Sequence, residues 1–216
     1  MARQARAVAT QQQIVLRASE VFDRVGYYGA RVEEIVESAR ITKGALYFHF
    51  GSKDGLARHI IREQNRLAVR SLEAIAATDA SALEQMVMLC HEMARQTSNP
   101  LVRAGIRLTV ELGATDALGD APPDPYLPWT DWATCVVTRA VEQGDIVETV
   151  SPPVLARHLI GAVTGAQLVS RVRSWFSDVD RRVDEMWLVL LPGIVPAGRH
   201  DRIPSASSAR WCAETV

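Results

Sequence analysis

Thr42-Lys-Gly-Ala-Leu-Tyr-Phe-His-Phe50, running on into Gly51-Ser-Lys-Asp-Gly-Leu56, is the stretch that settles the architecture of this 216-residue chain. Lys43 to Phe48 reads as a short helix, and Gly51-Ser52 ends it. Just upstream, Val32, Ile35, Val36 and Ala39 share one face of another short helix, which Arg40-Ile41-Thr42 interrupts. Helices over 31–39 and 43–48, separated by a tight turn, have helix-turn-helix spacing. Such a pair projects its second helix into the major groove of DNA while its neighbours touch phosphates. The spacing alone recurs in any small helical bundle, so the content of the second helix carries the weight. Lys43, Tyr47, His49 and Lys53 bear donors, and Gly44 with Ala45 lets a sugar-phosphate chain come close. Leu46, Phe48 and Phe50 are read as a small core beneath that face.

Helical periodicity continues in both directions, with no convincing strand alternation. Ile14, Val15, Ala18, Val21, Phe22 and Val25 recur at helical spacing until Gly26. Ser52 is placed to cap a long fourth helix whose apolar stripe is Leu56, Ile60, Leu67 and Ile75. Ser81-Ala-Leu-Glu84 is a capping box, and Asn99-Pro100 starts a helix to about Leu112. Residues 113–128, rich in Gly, Pro and Asp, form the one long loop. Trp129 to Gln143 is helical with Gly144 as its C-cap. Ser151-Pro152-Pro153 precedes an apolar helix to Arg173, and a last helix runs from Asp180 to Leu191. The expected fold is all-α: an N-terminal three-helix helix-turn-helix domain over 1–52 and a larger helical domain over 53–197. Residues 198–216 are expected to be a disordered tail.

Charge supports the division. The whole chain sums to −1, but residues 1–70 carry 12 Lys/Arg against 7 Asp/Glu, net +5, and residues 71–216 carry 12 against 18, net −6. A basic head on an acidic body fits a polyanion-binding domain joined to one with another task. Other classes fall away. No N-terminal stretch is apolar for the length of a signal peptide, and no segment reaches the roughly 18–20 clean apolar residues of a membrane span. A cytoplasmic protein is expected. Cys90, Cys135 and Cys212 are widely spaced thiols without a CxxC. His59 and Glu63 lack a third ligand, and Cys90-His91 point in different directions on one helix. With no HExxH, GxSxG, GxGxxG or P-loop pattern, we expect no enzyme, metal or cofactor.

The second half has its own anomalies. Gln64 and Ser71 interrupt the apolar stripe of the fourth helix, and burying an unpaired amide costs about 1–3 kcal/mol. Each is therefore either satisfied by a neighbour or open to a ligand. Tyr126, Trp129 and Trp132 bring three aromatics to one helix start, either as core packing or as the rigid wall of a pocket. Thr164 and Gln167 sit among Leu, Val and Ala, and Thr164 is also placed to bond the carbonyl of Ile160. Gly161, Ala162, Gly165 and Ala166 allow close approach of a second helix. With Met186, Trp187, Val189, Leu190 and Ile194 they point to a homodimer, which would bind a palindromic operator.

The stretch Thr42–Leu56 closely resembles the signature of TetR-family transcriptional repressors. Ala18–Phe22, Gly26-Tyr27, Glu34-Ile35-Val36 and Ala39 fit the same pattern. The resemblance implies an all-α homodimer with a DNA-binding head and a ligand-binding body. By position, Thr42, Lys43, Gly44, Tyr47 and His49 would face DNA and Lys53 would sit on a phosphate. Arg40 stands where the family's turn has Gly, so a left-handed residue there costs about 1 kcal/mol. Arg31 stands near the place of a phosphate-binding hydroxyl. Met1-Ala-Arg-Gln-x-Arg-Ala7, Gly44–Phe50, Val102–Leu108, Pro125-Tyr-x-x-Trp129 and Glu185-Met-Trp187 resemble the γ-butyrolactone autoregulator receptors of that family. This implies a lactone-type effector lined by Trp129, with Gln64, Trp132 and Thr164 beside it, and control of antibiotic or other secondary-metabolite genes. The alternatives are a pseudo-receptor responding to an antibiotic or its intermediate, and a helical small-molecule-binding protein without an operator.

Overall fold

A computed structural model describes residues 2–112 and 126–211. Every regular element among these residues is helical, as the periodicity requires. The elements in order are α1 (Ala2–Gly29), α2 (Val32–Ser38), α3 (Lys43–Phe50), α4 (Lys53–Ala76), α5 (Ala82–Gln96) and α6 (Pro100–Leu112). After the stretch 113–125, where most of the expected long loop falls outside the described residues, come α7 (Leu127–Glu142), α8 (Pro152–Ser174) and α9 (Val179–Ile194). A 3-10 turn over Ala197–Arg202 leads into α10 (Ile203–Ser207).

The local signals act as written. Ser81 Oγ accepts the amide of Glu84 and the Glu84 carboxylate accepts the amide of Ser81, the reciprocal pair of a capping box. Ser52 Oγ accepts the amide of Gly55 at 3.0 Å and starts α4. Arg40 adopts the left-handed conformation, φ 51°, that its place in the turn demands. Around it the amides of Arg40 and Ile41 reach back to the carbonyls of Glu37 and Val36, both at 3.0 Å, which closes α2 in a Schellman turn. Gln13 Nε2 secures the same turn by donating to the carbonyl of Ala39 at 2.8 Å.

The chain divides into two units, but not at residue 52. The first unit comprises residues up to Leu67 together with α6; the second comprises Ala68–Thr97 and everything from Tyr126 onward. The division passes through α4. In the first unit α6 packs along α1, and Ala104, Leu108 and Leu112 share one buried cluster with Ile14, Ala18, Phe22, Leu46, Leu56 and Ile60. Polar bonds between distant positions fix the pairing: Arg103 Nε donates to Asp23 at 2.7 Å, across 80 residues of sequence.

In the second unit, α5, α7, α8 and α9 enclose a cluster with Trp187 fully buried at its centre. The expected disordered tail is corrected here. Ala206 is buried, Ile203 and Ala209 pack on the same cluster, and Arg199 donates to the buried carboxylate of Asp145 at 2.5 Å. Arg210 pairs with Asp184 at 2.5 Å. Small apolar residues three apart and arginines aimed at fixed carboxylates hold this segment down despite its polar composition. Residues 212–216 of that expected tail lie outside the described residues.

Candidate nucleic-acid interface and effector residues

Helix α3 is short and has two unlike faces. Leu46 is completely buried and Phe50 packs on the same cluster, which anchors one side. Lys43, Gly44, Tyr47 and Phe48, at i, i+1, i+4 and i+5, share the opposite side. Phe48 is 83% exposed and Tyr47 47% exposed. Phe48 is therefore not the core residue that its apolar character suggests. An exposed phenylalanine costs the free protein favourable burial, and it adds an apolar contact to a face otherwise made of donors.

The remaining residues of this face are held by specific bonds. Thr42 is the N-cap of α3, and its Oγ1 accepts the amide of Ala45 at 3.2 Å. Arg31, exposed and extended (φ −102°, ψ 141°), is the N-cap residue of α2 but gives no side-chain cap. Lys43 pairs with Glu33 of α2, which raises the lysine pKa and lowers that of the glutamate. His49 is half-buried, its ring edge-on to Phe48 at 5.3 Å. A β-carbon at Gly44 would meet only Thr42 Oγ1, at 3.8 Å, so nothing within the free chain requires glycine there.

Lys53, expected on a phosphate, is bonded within the free chain. Its ammonium donates to the carbonyls of Tyr27 at 2.9 Å and Ala30 at 3.0 Å, and lies 4.3 Å from the Tyr27 ring centroid. Two of its three protons satisfy carbonyls at the end of α1, which makes it an internal clamp. Its neighbour Asp54 accepts the Tyr27 hydroxyl, and burial together with that bond pushes the phenol pKa up.

The two polar residues on the α4 stripe have opposite fates. Ser71 Oγ donates to the fully buried carboxylate of Glu92 at 2.8 Å and accepts from Gln96 at 3.0 Å. Arg95 completes that network with two donations to Glu92, at 2.6 and 2.8 Å. Ser71 is thus satisfied by its neighbours. Gln64, 9% exposed, lies against Gly105 of α6, where a β-carbon would come within 2.2 Å of its Oε1. A larger residue at 105 would push the Gln64 side chain aside, and Gln64 Oε1 has no hydrogen-bond partner among the described residues.

Trp129 is buried in the core of the second unit and Trp132 packs partly against it. The Thr164 hydroxyl is spent on the carbonyl of Ile160 at 2.8 Å, the back-bonded alternative. Gln167 Nε2 donates to Met93 O at 2.9 Å. Gln64 belongs to the first unit and the other three candidates to the second, so neither unit alone gathers the four.

The helices expected to pair with a second copy show which residues are available. Gly161, Gly165, Leu168, Val169 and Val172 form an exposed stripe on α8, with Val172 at 86%. Leu188 and Val189 are exposed on α9, at 73% and 82%. Trp187 and Ile194, expected in the same surface, instead fill the unit's own core. Among the described residues no group of three or more His, Cys, Asp or Glu could hold a metal ion. No helix there is long and apolar enough to cross a membrane.

A three-helix head that exposes one face of its third helix, with a second all-helical unit in the same chain, defines a helix-turn-helix transcriptional regulator. Residues 14–60 match the bacterial regulatory proteins of the tetR family, and residues 80–196 match the tetracyclin repressor-like C-terminal domain. The chain belongs to the TetR family. It is 36% identical to the A-factor receptor protein of Streptomyces griseus, over 99% of this chain and 76% of that protein. A crystal structure of a gamma-butyrolactone receptor (ArpA-like protein) superposes with a TM-score of 0.81 at 34% identity, covering 94% of this chain and 96% of that one. The TetR-family protein CprB from Streptomyces coelicolor, in complex with its biological operator sequence, gives a TM-score of 0.83 at 33% identity, covering 97% and 100%.

Proposed function

We propose that this protein is a cytoplasmic, non-enzymatic repressor that holds a palindromic operator as a homodimer and releases it when a γ-butyrolactone-like signal binds. The target genes are those of antibiotic or other secondary metabolism. The observation that carries the reading is similarity along essentially the whole chain to the A-factor receptor protein, which extends well beyond the head. The exposed face of α3, with Arg31, Thr42, Lys43, Gly44, Tyr47 and His49 on or beside it, supports the DNA half. Phe48 joins that set. Lys53, at the start of α4, is the proposed phosphate contact and also fixes the end of α1.

The effector half rests on Gln64, Trp129, Trp132 and Thr164. The acceptor oxygen of Gln64 suits a ligand hydroxyl, and the indoles of Trp129 and Trp132 suit an alkyl chain and ring. Release requires that the effector bind the released conformation better than the DNA-bound one. Helix α4 is the proposed lever, because it starts beside α3 and carries Gln64 along its length.

The test is a mobility-shift titration on the DNA flanking the protein's own gene, with and without a synthetic γ-butyrolactone. Wild type should bind in a strongly salt-dependent manner and let go when the lactone is added. Trp129→Ala should bind the DNA normally and ignore the lactone. A lactone that binds the protein and leaves DNA affinity unchanged would sink the release mechanism.

A further inference from the structure

Helix α6 presents Arg103, Arg107 and Glu111 at four-residue intervals along one face, and all three engage the end of α1. There α1 is broken. Gly26 takes φ 75° and ψ −177°, so the helix kinks before its last turn. An unbroken helix would pair the amide of Tyr27 with the carbonyl of Asp23. In this chain the Tyr27 amide donates to Glu111 Oε2 at 2.5 Å, and the Asp23 carbonyl accepts from Arg107 Nη1 at 2.8 Å. Arg107 also reaches the carbonyl of Arg24 at 2.9 Å and pairs with Glu111 at 2.6 Å. An ion pair on α6 thus occupies the break in the α1 ladder. The φ of 75° favours glycine at position 26, and a β-carbon there would fall 2.3 Å from Glu111 Oε1 and 2.7 Å from Arg107 Nη2, displacing the ion pair from the break.

The residue just past the break, Tyr27, also holds the first turn of α4. Its carbonyl and ring take the Lys53 ammonium and its hydroxyl goes to Asp54. Only Gly51 and Ser52 separate that turn from the end of α3, and Leu46 and Leu56 are buried in one cluster. A continuous set of bonds therefore runs from α6 through the Gly26–Tyr27 break to the α3–α4 corner.

We propose that Arg107 and Glu111 are positioning residues for operator binding: by filling the break in α1 they fix the angle at which α3 is presented. This rests on the operator-binding reading above, and the experiment separates the two. Amide hydrogen exchange is followed on the full-length chain for wild type, Glu111→Gln, Arg107→Met and Gly26→Ala. In parallel, affinity is measured for a duplex selected by wild type from a random pool, and for the same duplex lengthened by one base pair at its centre.

Losing a charge-assisted bond to a part-buried backbone amide predicts about tenfold faster exchange across residues 43–56 in Glu111→Gln, with α5 and α9 unaffected. Affinity for the selected duplex falls about tenfold, and the preference over the lengthened duplex collapses toward equality, because an unfixed head tolerates either spacing. A merely structural role would leave that preference intact. Unchanged exchange over 43–56, exchange raised equally in every helix, or a retained spacing preference each overturns the proposal. If Gly26→Ala does not fold, Glu111→Gln decides. If wild type selects no duplex, the operator reading fails, and the positioning role fails with it.

Discussion

Gln64 and Ser71 look alike in sequence, as polar interruptions of one apolar stripe, and bonding separates them. Ser71→Ala removes a donor from the buried carboxylate of Glu92 and should cost about 1–3 kcal/mol in urea unfolding. Gln64→Met keeps the side-chain volume and removes an oxygen that has no partner among the described residues. It should change stability by less than about 0.5 kcal/mol while weakening the response to lactone. A stability loss as large as that of Ser71→Ala would show that the Gln64 oxygen is satisfied within the fold. His91 offers a pH test at the same scale. Its buried ring lies 2.6 Å from Asp180 and 3.5 Å from Asp184, and burial outweighs the carboxylates and pushes its pKa below 6.5. The unfolded chain then binds the proton more readily than the folded one. The contribution is complete above the unfolded value and is lost as pH falls through about 6.5 toward the folded value. Burial shifts His59 the same way, so His91→Asn should flatten part of the acid-side decline in the unfolding midpoint. An unchanged slope would remove His91 from it.

Helix α3 is where residue type misleads. Its apolar positions 46, 48 and 50 read as a core triplet, yet the helix can bury only one side, and Phe48 stands on the other. Because Phe48 contributes so little burial, Phe48→Ala should leave thermal stability nearly unchanged and lower operator affinity about tenfold. A drop in stability with intact DNA binding would restore it to the core. Elements whose signals are local were legible. The capping box at Ser81–Glu84, the Ser52 cap and the left-handed turn at Arg40 each depend on residues within a few positions of one another. The membership of α6 in the head was not legible, because it depends on bonds such as Arg103 to Asp23 that no periodicity encodes. The docking of α10 escaped for a related reason: Ala206 and its arginine anchors sit in a stretch too polar to resemble a core element. Among the effector candidates, the packing of Trp129 and Trp132 in the core was one of the two readings their spacing left open. The back-bonding of Thr164 and the orphan oxygen of Gln64 depend on which neighbours arrive, and only three-dimensional structure shows that.

At the scale of the whole molecule, the second unit leaves its most exposed apolar residues on α8 and α9. TetR-family proteins are dimers, and these residues are the surface we assign to pairing. Val172→Glu combined with Val189→Glu would place unpaired charges inside the interface, which costs several kcal/mol for each buried ion. The double variant should sediment as a helical monomer and lose high-affinity operator binding. A variant that remains dimeric would move the interface elsewhere. The bare stripe also has a consequence outside the molecule. A chain that must pair before it can grip a two-fold site responds to its own abundance, and where dimers are scarce occupancy follows the square of protomer concentration. Doubling synthesis then raises operator occupancy about fourfold in that limit. Under the proposed release mechanism, gene dosage becomes a second input beside the effector, setting how much signal is needed before the genes are released.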